Sequence, residues 1–477
     1  MGKVIRTIKN KMTLCLFFVV SFIFALPSIL YLCKHKTIIE FDFDWTYFYQ
    51  LAQGNRLLNA LALLLLFSVL FALYFCVIKK RRQLLPTPQK MFACIVSISL
   101  LFLIVIPYAG KDIYSYIANG WSAAHYGENP YYISAGQIEE KSGIQDEMFR
   151  KMADVWRYEK LTYGPLWALM STLFSWLSFG NVFCAVIIYK LANFVVHILN
   201  CVLIYKLTRK DLPVLLYGLN PLVLFEALSN VHNDIYMVFF VLLAIFLVVR
   251  KKNISLSMIS IAFATAIKYV PILILPFILL YYVRKKSIKD RVKICVYCGI
   301  EYILIMGLLY SLYFRDWNVF FGLFLQQKKY NSSLLYLIYQ WTGRNDSVIG
   351  ILKNALLGAF AISYAYVVIK LLISEKMTLY QNLEKYNKML FIFTFVLITN
   401  FNSWYMLWFF ASFMIGKGRH VKNTIYLSYG AEFANIISFV LFLKIPYLVS
   451  MMGIMLMLNF IEVGKRKMRL LKKGENG

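Results

Sequence analysis

Asp112 stands where an apolar run, Met91 to Tyr108, gives way to a polar segment reaching about Tyr163. A carboxylate at the mouth of a membrane helix is costly to place and marks a functional position by default. If that mouth is the outer one, Asp112 can act at the membrane surface on a substrate carried by a lipid. There it could take the proton of an attacking hydroxyl. A second polar group, Glu226 and then His232-Asn233-Asp234, falls at a turn between two apolar runs. These side chains can grip hydroxyls or a phosphate, although Asn and Asp also serve turns routinely. Lys268 closes a further apolar run just before Val270-Pro271 and could balance negative charge as it develops. A lysine stretching its head group to the interface explains the same position. Arg315, Lys328, Lys329 and Arg344 are reserves for that task.

The elements that must position these groups are membrane helices. Sixty per cent of the 477 residues are hydrophobic and 16% charged, unlike any ordinary soluble domain. Apolar runs long enough for a hydrocarbon core of ~30 Å recur from Met12 to Glu462. Spans are expected near 12–33, 57–78, 91–108, 182–206, 212–229, 232–250, 254–269, 271–283, 294–314, 347–372, 388–400, 404–416, 424–441 and 446–463. That makes fourteen, or twelve to thirteen if the short ones at 271–283, 388–400 and 404–416 are half-helices lining a cavity. The fold class is thus an all-α polytopic membrane protein, one integral domain over 1–477 with a retained first helix.

The net charge of +28 first suggests nucleic acid, but the basic residues gather at alternate helix ends. They stand at Lys79-Lys80-Arg81-Arg82, Lys206 to Lys210, Arg250-Lys251-Lys252, Arg284 to Lys293, Lys417 to Lys422 and Lys465 to Lys473. This is the positive-inside pattern, and it makes those loops cytoplasmic. A nucleic-acid partner would need a basic soluble face, which the sequence lacks. Two long segments, 109–181 and 315–346, then lie outside, and residues 164–179 read as a helix resting in the outer interface. Within the first, Asp146 is expected to be a dispensable loop carboxylate. Lys190 and His197, seven apart and so on one helix face, could line a cavity or pair with Glu301. The eight cysteines avoid the outer loops and imply no disulfide framework.

Several short motifs now fall in order. Asp112-Ile113-Tyr114-Ser115-Tyr116, Gly120, Gly127-Glu128-Asn129-Pro130-Tyr131 and Tyr163-Gly164-Pro165-Leu166 lie in the first outer segment. Asn220-Pro221, Glu226, His232-Asn233-Asp234, Lys268 with Pro271, and Trp404-Tyr405 follow. Over roughly residues 91 to 410 the chain resembles the polyprenyl-phosphate-sugar-dependent glycosyltransferases of the GT-C superfamily. Within them it is most like the bacterial alpha-mannosyltransferase branch. It differs in reading Asn402-Ser403 before Trp404, where many of that branch have proline before the tryptophan.

The resemblance implies an inverting transfer of a mannose-like hexose from a polyprenyl-phosphate donor to an extracytoplasmic glycolipid, wall polymer or other glycan. The active site would face outward across a cell membrane. Asp112 would be the base; Tyr114, Tyr163, Glu226, His232, Asn233, Asp234, Lys268, Trp404 and Tyr405 would bind substrate. No cofactor is implied; a divalent metal at Asp112, Glu226 or Asp234 is conceivable but no spacing demands one. A flippase or transporter, or a polysaccharide polymerase or ligase, is the alternative. A flippase should show internal repeats, and no convincing repeat is found.

Overall fold

The computed structural model describes residues 2–34, 56–107, 112–150, 152, 154–374, 377–416, 419–441, 451–453 and 455–457. Most of the expected span at 446–463, the basic stretch Lys465 to Lys473, and Lys111 lie outside them. Among the described residues every regular element is helical, with only isolated bridges from Asn331 and Ser332 to Asn400. The protein is an all-α, multi-pass membrane protein.

The chain opens with α1 (Gly2–Lys34), α2 (Arg56–Leu84) and α3 (Pro88–Ile104). Thr87 caps α3, its side chain accepting from the Lys90 amide, and Pro88 supplies the preset φ of a first helical residue. The long segment that follows folds as α4 (Asp112–Ala124), α5 (Ala135–Ser142) and α6 (Pro165–Trp176), with the one-turn helices Glu147–Arg150 and Asp154–Arg157 between the last two. Then come α7 (Val182–Thr208), α8 (Asp211–Gly218), α9 (Asp234–Phe246), α10 (Ile254–Thr265), α11 (Leu275–Val283) and α12 (Ile288–Ser311). The last large helices are α13 (Asp346–Ile373), α14 (Leu379–Ile392), the short α15 (Leu407–Phe413) and α16 (Arg419–Leu441).

Among the described residues five helices are long and apolar enough to cross a membrane unaided: Lys11–Cys33, Leu61–Leu84, Val182–Thr208, Ile288–Ser311 and Asp346–Ile373. A sixth emerges if Asp211–Gly218 and Pro221–Ser229, bent by 47°, count as one. The sequence marks 271–283, 388–400 and 404–416 as short, and among the described residues several further expected spans are shorter or broken as well. Asn220 and Pro221 make one break: the Asn220 side chain caps the new start by accepting from the Leu222 amide at 3.0 Å. Wide π turns at Leu224–Ser229, Leu247–Lys251 and Phe393–Leu397, and 3-10 turns at Val270–Ile274 and Ser403–Met406, make the rest. Backbone of this kind is tolerated at membrane depth only where protein buries it. Leu224–Ser229 is buried throughout, whereas Leu247–Lys251 ends on the exposed Arg250 and Lys251; the breaks at Leu224–Ser229, Val270–Ile274 and Ser403–Met406 bear directly on the site.

Two close approaches fix the first outer segment. A Cβ on Gly120 of α4 would fall 2.2 Å from the Ser171 carbonyl oxygen of α6, so only glycine permits these helices to touch. A Cβ on Gly164 would fall 2.3 Å from the Ala266 carbonyl oxygen, just past α10. The same strand of chain is pinned there by Gly164 N to Ile267 O at 3.1 Å and Leu166 N to Ala266 O at 2.9 Å. Helix α6 has only 12 residues, about 18 Å of rise. It buries Trp167, Ser171 and Ser175 and exposes Leu169, Leu173 and Trp176.

Candidate active site

Asp112 is the first residue of α4, where the positive end of the helix dipole favours a carboxylate. Tyr116, one turn on, shares its face and meets Tyr163 edge-on, ring centroids 5.3 Å apart. Tyr114 does not share that face. Two residues are about 200° of helix, so its side chain is turned away into the apolar core, and the expectation that Tyr114 binds substrate is corrected.

Tyr163 is braced from behind by the turn after α4. Gly127 there takes a left-handed φ of 64°, Asn129 donates to the Tyr313 carbonyl at 2.7 Å, and Tyr131 OH donates to the Tyr163 carbonyl at 2.8 Å. The Tyr163 hydroxyl thus comes within 3.5 Å of Asp112 Oδ2. Burial, and next the negative charge of Asp112, raise this phenol well above its usual range, so it stays a donor.

Behind Asp112 lies a buried polar chain. His232 Nδ1 is 3.5 Å from Asp112 Oδ2, and its Nε2 is 3.3 Å from Glu226 Oε2. The Trp404 ring stacks on the imidazole at 3.9 Å and 15°. Glu226, in the π turn, also accepts from Asn230 at 2.7 Å and from Ser403 Oγ, which in turn accepts from Asn435 at 3.2 Å. His232 occupies the short turn between the π segment and α9, outside both helices. The backbone reaches it through Val231 at φ 63°, a β-branched residue in left-handed geometry. Such strain costs roughly 1–3 kcal/mol and persists where the surroundings over-determine it. Burial disfavours the His232 cation, but the two flanking carboxylates, Asp112 and Glu226, outweigh that and raise its pKa to about 9. The imidazolium thus lies between the two carboxylates, within 3.5 Å of Asp112 and 3.3 Å of Glu226.

The cationic half of the site is Lys268, whose Nζ donates to Asp234 Oδ1 at 2.7 Å; the Trp408 indole N–H donates to the same oxygen. Rings surround the ammonium, with centroids 5.0 Å away for Tyr405, 5.5 Å for Trp408 and 5.8 Å for Tyr163. Tyr405 and Trp408 stack on each other at 4.2 Å. Trp408 was legible from its spacing, since three residues after Tyr405 is the same helix face, but sequence reading passed it over.

One cleft of about 440 Å³ unites the two halves, within the usual range for ligand pockets. Asp112, Tyr163, Lys268, Trp404, Tyr405 and Trp408 line its polar end. Ile272, Leu273, Leu357, Phe393 and Leu397 line an apolar continuation, with Lys353 of α13 beside it. Glu226, His232, Asn233 and Asp234, expected to touch substrate, instead sit fully buried behind the cleft wall. His232 stands between Asp112 and Glu226, and Asp234 accepts from Lys268, so Glu226, His232 and Asp234 support the lining residues, whereas the Asn233 side chain has no hydrogen-bond partner among the described residues. Of the reserve cations none lines the cleft: Lys329 pairs with Glu159, and Arg315 lies over the Tyr132 ring.

Two further expectations change. Asp146 is a clasp: its Oδ2 accepts from Trp121 Nε1 and Tyr126 OH, each at 2.8 Å, and its Oδ1 from the Met148 amide at 2.8 Å. Lys190 meets main-chain carbonyls, not Glu301, and His197 stacks on Tyr217 at 5.3 Å. Among the described residues no three His, Cys, Asp or Glu side chains stand together as a metal site requires.

Residues 35–284 match the model of the family described as alpha-(1->6)-mannopyranosyltransferase, N-terminal domain, and so include every polar site residue from Asp112 to Lys268. The chain is also similar to alpha-(1->6)-mannopyranosyltransferase A of Mycobacterium tuberculosis (strain ATCC 25618 / H37Rv), with 25% identity over 187 residues. That alignment covers 38% of this chain and 35% of the relative, about a third of the relative's length. No solved structure matches the chain at a significant level. With more than half its length inside the family match, the chain belongs to the alpha-(1->6)-mannopyranosyltransferase family.

Proposed function

We propose that the protein is an inverting mannosyltransferase of the GT-C type that uses a polyprenyl-phosphate mannose on the outer face of the cell membrane. The acceptor is an extracytoplasmic glycolipid, wall polymer or other glycan. The observation that carries this reading is the single cleft in which a carboxylate and a caged ammonium face a shared space that continues as an apolar groove. A nucleotide sugar offers nothing for the groove to hold, whereas a lipid phosphate places its head by Lys268 and its chain along Ile272, Leu273 and Leu357.

The step is one displacement. The acceptor oxygen forms a bond to the anomeric carbon as its proton passes to Asp112, and the bond from that carbon to the phosphate oxygen breaks. The electron pair leaves with the lipid phosphate, whose charge Lys268 balances among the rings of Tyr405 and Trp408. His232, held between Asp112 and Glu226, fixes the orientation of the Asp112 carboxylate before attack. The aromatic walls offer flat faces for the sugar ring.

Purified protein in nanodiscs should transfer mannose from a polyprenyl-phosphate mannose and not from GDP-mannose. Robust transfer from GDP-mannose, in membranes unable to make the lipid donor, would overturn the donor assignment. Sidedness is read separately in a cysteine-free background. Single cysteines at Ser142 and Lys285, both exposed, are probed in intact cells with an impermeant thiol reagent. Labelling at 142 alone is expected; labelling at 285 alone reverses the topology.

A further inference from the structure

Lys190 is a charged side chain on α7, only 6% exposed, inside the membrane domain and among carbonyls instead of carboxylates. Its Nζ donates to Val105 O at 2.7 Å, Leu228 O at 2.9 Å and Ser229 O at 3.2 Å. Three donors meet three acceptors, so the ammonium is fully used. The acceptors belong to two different segments. Val105 terminates α3, and the chain leads from it to Asp112; Leu228 and Ser229 terminate the π turn, and the chain leads from them to His232.

The π geometry explains why a cation belongs here. Asn230 N reaches back to Phe225 O, and His232 N to Glu226 O. The next three carbonyls, of Ala227, Leu228 and Ser229, are taken by side chains of α7. Lys190 takes two, and Asn193, one turn further along, donates to Ala227 O at 2.7 Å and to His232 O at 3.3 Å. Ser229 Oγ closes the junction by donating to Phe102 O at 3.1 Å. Buried carbonyls at a helix end require partners, and a cation there also meets the negative end of the dipole. A single ammonium does this for both segments at once, tying the root of Asp112 to the root of His232.

We propose that Lys190 is a positioning residue for the transfer reaction: by bridging the ends of α3 and the π turn it sets the separation between Asp112 and His232. This rests on the reading of Asp112 as the base. Lys190 does not line the cleft, so its influence on turnover is indirect.

The test is a double-mutant cycle on turnover with polyprenyl-phosphate mannose in nanodiscs. Lys190→Met keeps the chain length and removes the donors. Turnover should fall about 10- to 100-fold, the scale of a small misplacement of a catalytic group. KM for the donor should stay within roughly threefold, because the cleft lining is untouched. In an Asp112→Asn background the same change should produce no further loss, since there is no base left to misplace. Lys190→Gln, which retains two donors, should lie between wild type and Lys190→Met; it replaces the methionine variant if that one does not fold.

Wild-type turnover in the folded Lys190 variant, or a full additional loss on top of Asp112→Asn, overturns the proposal. Wild-type turnover in Asp112→Asn alone means that the reading of the base has failed, not the clamp. A cryo-EM structure of the Lys190 variant then decides the clamp by itself. The Asp112–His232 contact, 3.5 Å in the wild type, should lengthen, and an unchanged contact overturns the clamp whatever the assay shows.

Discussion

Helix α7, which packs behind the site, and the long pair α12 and α13, of which α13 lends only Lys353 and Leu357 to the cleft, obey different physics in the same chain. Of the apolar window of α7, 39% is buried, against 6% for each of α12 and α13. The long pair is regular, unbroken and turned toward lipid, with Ile303, Leu304, Leu308 and Ile362 exposed. The site, by contrast, is made where helices break: the π turn carrying Glu226, the strained Val231, the 3-10 turns before α11 and α15. Regular helix satisfies its own backbone and leaves side chains free only for packing. A broken helix frees carbonyls and amides that must be met by side chains, and those side chains become a polar framework inside an apolar domain. Irregularity at membrane depth is thus the better guide to function than helix length.

The largest effect that would test this contrast is at Asp112. Asp112→Asn keeps the shape and removes the basicity. Turnover should fall about 10²-fold or more, the usual scale for a general base. Thermal stability should fall modestly, because the amide can still accept from Tyr163 but no longer offers His232 a charge. Steady-state turnover with saturating lipid donor is the measurement, and near-normal turnover would place the base elsewhere.

Next comes the docking point of the first outer segment. Gly164→Ala puts a methyl against the Ala266 carbonyl, backbone against backbone, where no rotamer can give way. A destabilisation of about 1–3 kcal/mol is expected, as for other overpacked contacts. Tyr163 should also move away from Lys268, so KM for the donor should rise. Unfolding midpoints in detergent and donor titrations report the two effects, and an unaltered KM would separate the docking point from the donor site.

His232 gives the site a pH signature that α12 and α13 cannot have. Its folded pKa, about 9, lies above its ordinary 6.5, because the two carboxylates outweigh burial. Below pH 6.5 the cation is present in folded and unfolded chains alike, and its contribution to stability is complete. That contribution declines between 6.5 and about 9 as the unfolded chain loses its proton first, and it is gone above the folded value. The wild-type unfolding midpoint should therefore fall across this window, and the fall should be shallower in His232→Gln. Parallel pH profiles for the two proteins would show that His232 is not held as a cation.

Much of this was legible in the sequence, and the remainder has physical reasons. The class follows from apolar run lengths. Asp112, Tyr163, Lys268, Trp404 and Tyr405 reach one cleft although the first and last are nearly three hundred positions apart in the chain. What sequence could not separate was lining from backing. His232 and Asp234 were legible as polar groups at a turn, but only packing shows that they face inward. Tyr114 was misplaced because a motif read as a string ignores the 100° that each helical residue turns. The breaks in the helices were also hidden, since a π turn keeps the hydropathy of the helix it interrupts. Asp146 looked dispensable because nothing in a polar loop marks which carboxylate two rings will close upon.

The smallest effect divides the two regions most directly. Leu304 on α12 is exposed to lipid and Leu215 on α8 is fully buried in protein. In both places leucine is surrounded by hydrocarbon, so loss of transfer energy from water does not distinguish them. Shape does. Lipid chains flow into the space left by Leu304→Ala, and the cost should stay within about 0.5 kcal/mol, as for a surface change. Protein around Leu215 cannot flow, and Leu215→Ala should leave a cavity costing about 2–5 kcal/mol. Unfolding midpoints of the two alanine variants in the same nanodiscs give the comparison. Equal shifts would mean that α12 packs against protein in the membrane, and the division between a lipid-facing pair and a site-building bundle would have to be redrawn around a second copy of the chain or another partner.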